Sequence, residues 1–392
     1  MWIGRVELPA GPDGKRRRKQ VASRSFDTAA AELRKLRADV DEGRIAVTGS
    51  TTLGEWLDRW LDEIHAQRIR PTTLRDYRTA VDLHIKPAIG NKRIDKLTPQ
   101  HVRQMHIAIG RRRAAEKAHV ILQKALKDAI REGMITRNVA ELVDKPKYAR
   151  GKRQSMSVDL ARTVIATAYA SLDEARATRW AAAFLTGARQ SELLGLRWEY
   201  VDLEAGLMDI SWQLQQLPQV HGCGDPVDGR YPCGKGGPGW CPQRRWDLPP
   251  DFEFEECHRS LVFTRPKTEA GSRPVPIVAP LLAKLVDLHA GQGVNPHGLV
   301  WHYPDGRPMG PREDHQEWTR LLEASGAIEP GETLSLHVAR HTTATLLRAA
   351  GVDEQTRMEI LGHATVDSQR VYAHADRQRH IAAMGSLGEL LG

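Results

Sequence analysis

Three short segments set cationic and imidazole side chains into otherwise apolar helical patterns, and any fold of this chain has to accommodate them. They are LTGARQSELLGLRW, with Arg189; LSLHVARHTTATLL, with His337 and Arg340; and LGHATVDSQRVYAH, with His363 and, nine residues on, Tyr372. Arg189 stands at the start of an amphipathic helix whose Leu193, Leu194 and Leu196 are expected inside. His337 and Arg340 are three apart, so a helix puts them on one face. Gly362 reads as a helix end that leaves His363 facing a cleft. Two arginines, two histidines and a phenol suit chemistry on a phosphodiester. Guanidiniums bind the non-bridging oxygens, and a proton carrier serves the bridging ones. Tyrosine is among the side chains that form covalent intermediates. Tyr303, in a Pro/Gly-rich loop, is the other candidate and belongs to none of the three segments.

The 392 residues suffice for two or three domains with real cores. A net charge of +8 and a sequence pI near 9.4 favour an anionic partner. No run of about 18 apolar residues is present, so no membrane span is expected. The N-terminus has no secretory apolar region, which predicts a cytosolic protein. No Gly-Lys-Ser/Thr phosphate loop is found.

Residues 1–50 read as a small basic module. A strand carries Trp2, Ile3, Val6 and Leu8, a turn follows at Gly11–Gly14, and a second strand runs towards Phe26. A helix over about 28–42, capped by Asp27 or Thr28 and stopped by Gly43, completes it. Residues 51–145 read as a helical domain. Thr52 and Glu55 form a capping box, helices open at Arg70-Pro71 and Thr98-Pro99, and a fourth spans about 114–132. Residues 146–154 are basic and carry Pro and Gly, as a linker does. Residues 155–392 form the largest domain.

The three segments resemble the boxes of the tyrosine recombinase (phage integrase) family. Thr186, Gly187, Arg189, Glu192, Leu193, Leu196 and Trp198 match the first, T-G-x-R-x-x-E-L-x-x-L-x-W. His337-Val338-Ala339-Arg340-His341-Thr342 matches the second, H-x-L-R-H-T, with Ala339 for the common leucine. Leu361-Gly362-His363 and Tyr372 make the third. The segment FTRPKTEAGSRPVPI is similar to the family's P-K-T-x-x-G-x-R-x-V-P hairpin, with Glu269–Ser272 as its turn.

The resemblance implies a mainly α fold with small β-sheets (α+β). It makes 1–50 an arm-type DNA-binding module, which in the family carries one more strand in front. It makes 51–145 a core-binding, SAM-like domain and 155–392 the catalytic domain. It implies a site-specific DNA recombinase, an integrase of a phage or mobile element in a bacterial cytoplasm, associated with the nucleoid. Tyr372 would be the nucleophile, forming a 3′-phosphotyrosyl bond. Lys267 would be the general acid, with Arg189, His337, Arg340 and His363 around the phosphate. Arg265 and Arg273 are near Lys267 but make poor acids. No metal and no ATP are required for catalysis.

Double-stranded attachment-site DNA is the implied partner, held by a homotetramer, with a directionality factor and a host DNA-bending protein as further partners. Arg16, Arg17, Arg18 and Lys19 in the arm, and Arg70, Arg75, Arg111, Arg112 and Arg113 in the helical domain, are candidate phosphate contacts. Ile381, Met384, Leu387 and Leu390 form an apolar stripe that docks either on a neighbouring copy or on the chain itself. Two rival readings are a type IB topoisomerase-like DNA-relaxing enzyme and a catalytically silent DNA-binding regulator.

All four cysteines, Cys223, Cys233, Cys241 and Cys257, fall in an insertion over 213–257. His221 and His258 lie beside the outer pair. Four thiolates suit a structural zinc. Free thiols in a glycine-rich loop and disulfides are the alternatives.

Overall fold

The computed structural model describes residues 1–8, 17–41, 51–148, 155–266, 271–362 and 375–391. The chain divides into two compact units, Met1–Arg150 and Gly151–Gly392.

In the first unit, β1 (Trp2–Leu8) and β2 (Arg17–Ser23) pair antiparallel from Trp2–Ser23 to Leu8–Arg17. Helix α1 (Phe26–Asp41) packs on them. A Cβ at Gly4 would come within 2.8 Å of the Leu33 side chain, so the glycine permits the close approach. The helix starts at Phe26, ahead of the expected position. The carbonyl of Ser25 accepts from the amide of Ala29 at 3.1 Å, and Asp27 lies inside the first turn rather than at a cap. The expected stop at Gly43 lies outside the described residues.

The helical part of this unit follows its caps. Helix α2 (Leu53–Arg59) begins with Thr52 Oγ1 accepting from the Glu55 amide, while the Thr52 amide donates to Glu55 Oε2 at 2.7 Å. Helix α3 (Pro71–Ala80) continues in helical turns to Gly90. Helix α4 (Pro99–Ile109) is capped by Thr98, and α5 (Arg112–Arg131) is the longest of the unit. Trp56, Trp60, Ile85, Val102, Ile121 and Leu122 are fully buried between them. The two indoles find polar partners, as buried ones need to: Trp56 donates to the Ala125 carbonyl and Trp60 to Asp128. Arg68 also binds Asp128, at 3.0 Å.

The second unit surrounds its core with helices α6 (Val158–Ser171), α7 (Glu174–Thr186), α8 (Gln190–Leu194), α9 (Ala279–Gly291), α10 (Pro311–Ala324), α11 (His337–Ala349), α12 (Glu354–Leu361) and α13 (Ala375–Leu391). Its strands are β3 (Val201–Asp202), β4 (Leu207–Ile210), β5 (Gln213–Gln216), β6 (Gln219–Val220), β7 (Arg245–Trp246), β8 (Phe254–His258), β9 (Leu261–Thr264) and β10 (Arg273–Pro276).

Strands β4 and β5 follow each other almost without a break. β10 pairs antiparallel with β4 and β9 pairs antiparallel with β5. β9 and β10 therefore run in the same sense along one stretch of chain, in separate sheets. The expected hairpin is thus not formed by β9 and β10. Of the expected turn, Glu269 and Ala270 lie outside the described residues. The neck is tight: a Cβ at Gly271 would meet Pro266 at 2.6 Å.

The C-terminal stripe docks on its own chain. Met384 and Leu387 of the stripe are buried in the core of the second unit, Leu390 is half-buried and Ile381 is exposed. At Gly388 a Cβ would touch Val278 at 3.1 Å. No described helix is long and apolar enough to cross a membrane.

Candidate active site

Helix α7 ends at Gly187, whose φ of 62° lies in the left-handed region that glycine tolerates. The space there is closed as well, since a Cβ would meet Leu361 at 2.6 Å. This turn delivers Arg189 to the first position before α8, with Leu193 and Leu194 buried behind it as expected. Gln190 fastens the helix start to the Pro311 carbonyl and to Asp314, at 2.9 and 2.8 Å. From another direction, α11 projects His337 and the buried Arg340 from its first turn.

The C-terminal end of α12 draws these groups together. A helix end leaves carbonyls without intrahelical partners and carries partial negative charge. Here three successive carbonyls each accept from a different arginine. Ile360 accepts from Arg273 Nε at 2.7 Å, Leu361 from Arg340 Nη2, and Gly362 from Arg189 Nη2 at 3.1 Å. Arg340 also donates to the Gly187 carbonyl at 2.8 Å, tying the end of α7 to the end of α12. Gly362 closes α12 at φ 61°, and the third box continues directly from it.

One carboxylate balances this charge. Glu192 is 2 % exposed. It accepts from Arg189 at 2.5 Å through Oε1 and from Arg273 at 3.1 Å through Oε2. Burial pushes its carboxyl up, but Arg273 and Arg189 outweigh burial and hold it below its ordinary range. Burial, reinforced by Arg189, pushes the Arg340 guanidinium down to about 9, which leaves it protonated at neutral pH. Burial and the two arginines lower His337, so the neutral imidazole is favoured there. Among the described residues the centre offers cationic donors and a neutral imidazole beside one carboxylate, a set suited to a tetrahedral or pentacoordinate anion.

Arg189, His337 and Arg340 are thus gathered in one unit. Lys267, His363 and Tyr372 lie outside the described residues. The neck of the Lys267 segment borders the cationic centre, because Gly271 accepts from Arg273 at 3.1 Å. Sequence reasoning passed over the part played by Glu192 and Arg273. The available signal was an acid at the third position of a helix whose N-cap is an arginine.

The candidate DNA contacts divide by exposure. Arg75, Arg111, Arg112 and Arg113 are exposed, and Arg113 lies 6.0 Å over the Tyr148 ring. Arg70 is half-buried at the N-cap of α3. In the arm, Lys19 is exposed and Arg18 lies 3.7 Å from Glu7. Arg16 lies outside the described residues, as does the side chain of Arg17.

The expected set of four cysteines is corrected in one member. Cys223, Cys233 and Cys241 converge, and the fourth donor beside them is His221. Cys257 sits on β8 at the register shift between Glu256 and His258, and it is half-buried against the core of the unit. Burial pushes that thiol up to about 12.

Comparison with known proteins gives one consistent answer. Residues 52–107 match the family model for the phage integrase N-terminal SAM-like domain, and residues 256–379 match that of the phage integrase family. An integrase of Saccharopolyspora erythraea is 28% identical over 405 residues, covering 95% of this chain and 90% of the relative. Among solved structures, a lambda integrase tetramer bound to a Holliday junction superposes with a TM-score of 0.57 at 18% identity, over 92% of this chain and 93% of that one. The Tn1549 transposon integrase in complex with a circular intermediate DNA gives 0.59 at 15% identity, over 81% and 92%. At these identities the two structures speak for a shared fold.

Proposed function

We infer that this chain, which matches the two phage integrase family models over residues 52–107 and 256–379, is a tyrosine recombinase of that family, a site-specific enzyme that cuts and rejoins DNA for a phage or mobile element. The observation that carries the reading is the arginine cluster at the end of α12. Arg273, Arg340 and Arg189 are ordered by three consecutive carbonyls, and the last two of these belong to the third box.

In this reading Arg189 and Arg340 take the non-bridging oxygens of the scissile phosphate, with His337 and His363 hydrogen-bonded beside them. The Tyr372 oxygen attacks phosphorus, and its proton passes to solvent water as the O–P bond forms. The bond to the deoxyribose 5′-oxygen breaks, and Lys267 supplies the proton that this oxygen takes. The cationic surroundings favour the phenolate. A 5′-hydroxyl from the partner duplex then attacks the phosphotyrosine and restores the tyrosine. The energy of the broken phosphodiester is kept in the covalent link, so the cycle needs no ATP. Glu192 and Arg273 are positioning residues, which hold Arg189 at its angle without touching DNA.

The lambda integrase structure is described as a tetramer on a Holliday junction. By analogy, four copies of this chain would act on paired attachment sites, with the exposed arginines of the arm and of α5 on the backbone. A directionality factor and a host DNA-bending protein belong to the same proposal.

The test uses attachment-site DNA taken from the boundary of the element and nicked near the cleavage position, so that the released fragment diffuses away and the adduct is trapped. Wild type is expected to give a covalent protein–DNA band on a denaturing gel, and Tyr372→Phe none. DNA that is bound by both proteins without an adduct from either would favour a silent regulator. Relaxation of any supercoiled plasmid, with no preference for the site, would favour a topoisomerase-like enzyme.

A further inference from the structure

The recombination chemistry makes no use of the converging His221, Cys223, Cys233 and Cys241. Their donor atoms all lie within 4.8 Å of one another. His221 Nδ1 is 3.4 Å from Cys233 Sγ and 3.8 Å from Cys223 Sγ. A tetrahedral zinc with Zn–S of about 2.3 Å and Zn–N of about 2.0 Å spaces its donors roughly 3.5–3.8 Å apart. The observed separations fall close to that range.

The chain around these donors is shaped to hold them. Strands β6 and β7 close the base of the module by pairing Gln219 with Trp246 and Val220 with Arg245. At Gly222, between two of the donors, a Cβ would meet the Gln243 carbonyl at 1.9 Å, so only glycine allows the two strands of chain to come together. The amides of Gln243 and Gly222 both donate to the Cys241 sulfur. The His221 ring stacks on Tyr231 at 3.6 Å with the planes 6° apart, which fixes its orientation.

What the module lacks is equally informative. From residue 219 to residue 260 a single side chain is buried, that of Cys241. A stretch of this length with no apolar core has little to offset its conformational entropy. A disulfide would use two of the three sulfurs, leaving one thiol and the imidazole without purpose. All four cysteines are free.

We propose that His221, Cys223, Cys233 and Cys241 bind one structural zinc ion that folds residues 219–246 into a module on the catalytic unit. Three thiolates and an imidazole are a donor set that selects zinc over hard cations. Four protein donors close the coordination sphere, so the ion has no position for substrate. The module is fastened to its surroundings by Gln219, which donates to the Arg259 carbonyl at 3.1 Å, and by Trp246, which donates to Glu256 at 2.6 Å. The Arg259 guanidinium lies 5.5 Å over the exposed Trp240 ring. Loss of the ion is expected to free residues 219–246 and leave the helices of the unit in place.

Metal analysis of the full-length protein, purified without added metal or chelator, tests the proposal. One zinc per chain is expected, and adding a chelator to the native protein should raise the number of readily titrating thiols by three. Cobalt taken up by chelated protein should show the thiolate charge-transfer and intense d–d bands of a tetrahedral site. Cys233→Ser and His221→Ala are expected to lose the ion while keeping the helical circular dichroism. Cys257→Ser keeps it. Zinc well below one per chain, or iron in its place, would overturn the proposal. Loss of zinc from Cys257→Ser with retention in His221→Ala would overturn the ligand set. Because the chelation arm uses wild-type protein, a variant that fails to fold leaves the proposal testable.

Discussion

The second unit contains two polar centres built on opposite principles. The arginine centre collects Arg189, Glu192, Arg273 and Arg340 from distant parts of the sequence and holds them against the end of α12. Its geometry is inherited from a packed core, with Leu193, Leu194, Val338, Ile360 and Leu361 buried directly behind it. The sulfur centre draws all of its donors from residues 221–241, and almost nothing is buried around them. In the first case packing places the charges. In the second the donors themselves hold the chain together, with the proposed ion as their common partner. The two should therefore fail independently, one through lost packing and charge balance and the other through lost metal.

The largest expected separation comes from Lys267→Ala. Removing a general acid costs roughly 10²–10⁴-fold in cleavage rate, and the zinc content should stay at one per chain. Placing sulfur at the bridging 5′ position should restore cleavage by this variant, because a thiolate leaves without a proton. Failure of that rescue would remove Lys267 from the acid's role.

Arg340→Ala comes next. Loss of one preorganised donor costs about 10²–10³-fold in rate, again with zinc retained. A simultaneous loss of metal would show that the two centres are coupled after all.

Glu192→Gln probes the charge balance. It leaves the buried Arg273 without its carboxylate, and loss of one partner of a buried pair costs about 3–5 kcal/mol. Arg189 and Arg273 hold this carboxyl below its ordinary 4.5. Its stabilisation is therefore complete above pH 4.5 and is lost as pH falls through the lower native value. Denaturant unfolding of wild type and variant should show the gap narrowing below pH 4.5. A gap independent of pH would mean that charge is not its source.

The smallest effect is expected outside this unit. Arg112→Ala should weaken DNA binding for all sequences alike and flatten the salt dependence by about 0.9 in the log–log slope. An unchanged slope would take Arg112 off the backbone.

These contrasts also show what the sequence could reveal. The arginine boxes were legible because each is local, an amphipathic helix with one misfit cation, as at Arg189 and Arg340. Helix starts at Thr52 and Thr98 were legible for the same reason, since a cap is written in four residues. Arg273 was not, because its value depends on β10 pairing with β4 beside the end of α12. The segment around Lys267 read as a hairpin because its turn chemistry is local, whereas β9 and β10 pair with two other strands, β5 and β4, that lie far upstream in the sequence. Cys257 was counted with the other cysteines by type alone. It packs against the core from the register shift in β8, and His221 is the donor next to Cys223. The stripe on α13 left two docking surfaces open, and the burial of Met384 and Leu387 within their own unit selects one.

The central claim is that the arginine centre directs a phosphate onto Tyr372, and mass spectrometry of the trapped adduct tests it most directly. Trypsin should release residues 371–377 as a peptide with Tyr372 as its one tyrosine. The account predicts the nucleotide mass on that peptide in wild type and on no peptide in Tyr372→Phe. A nucleotide on the peptide that carries Tyr303, or an adduct that survives Tyr372→Phe, would contradict it.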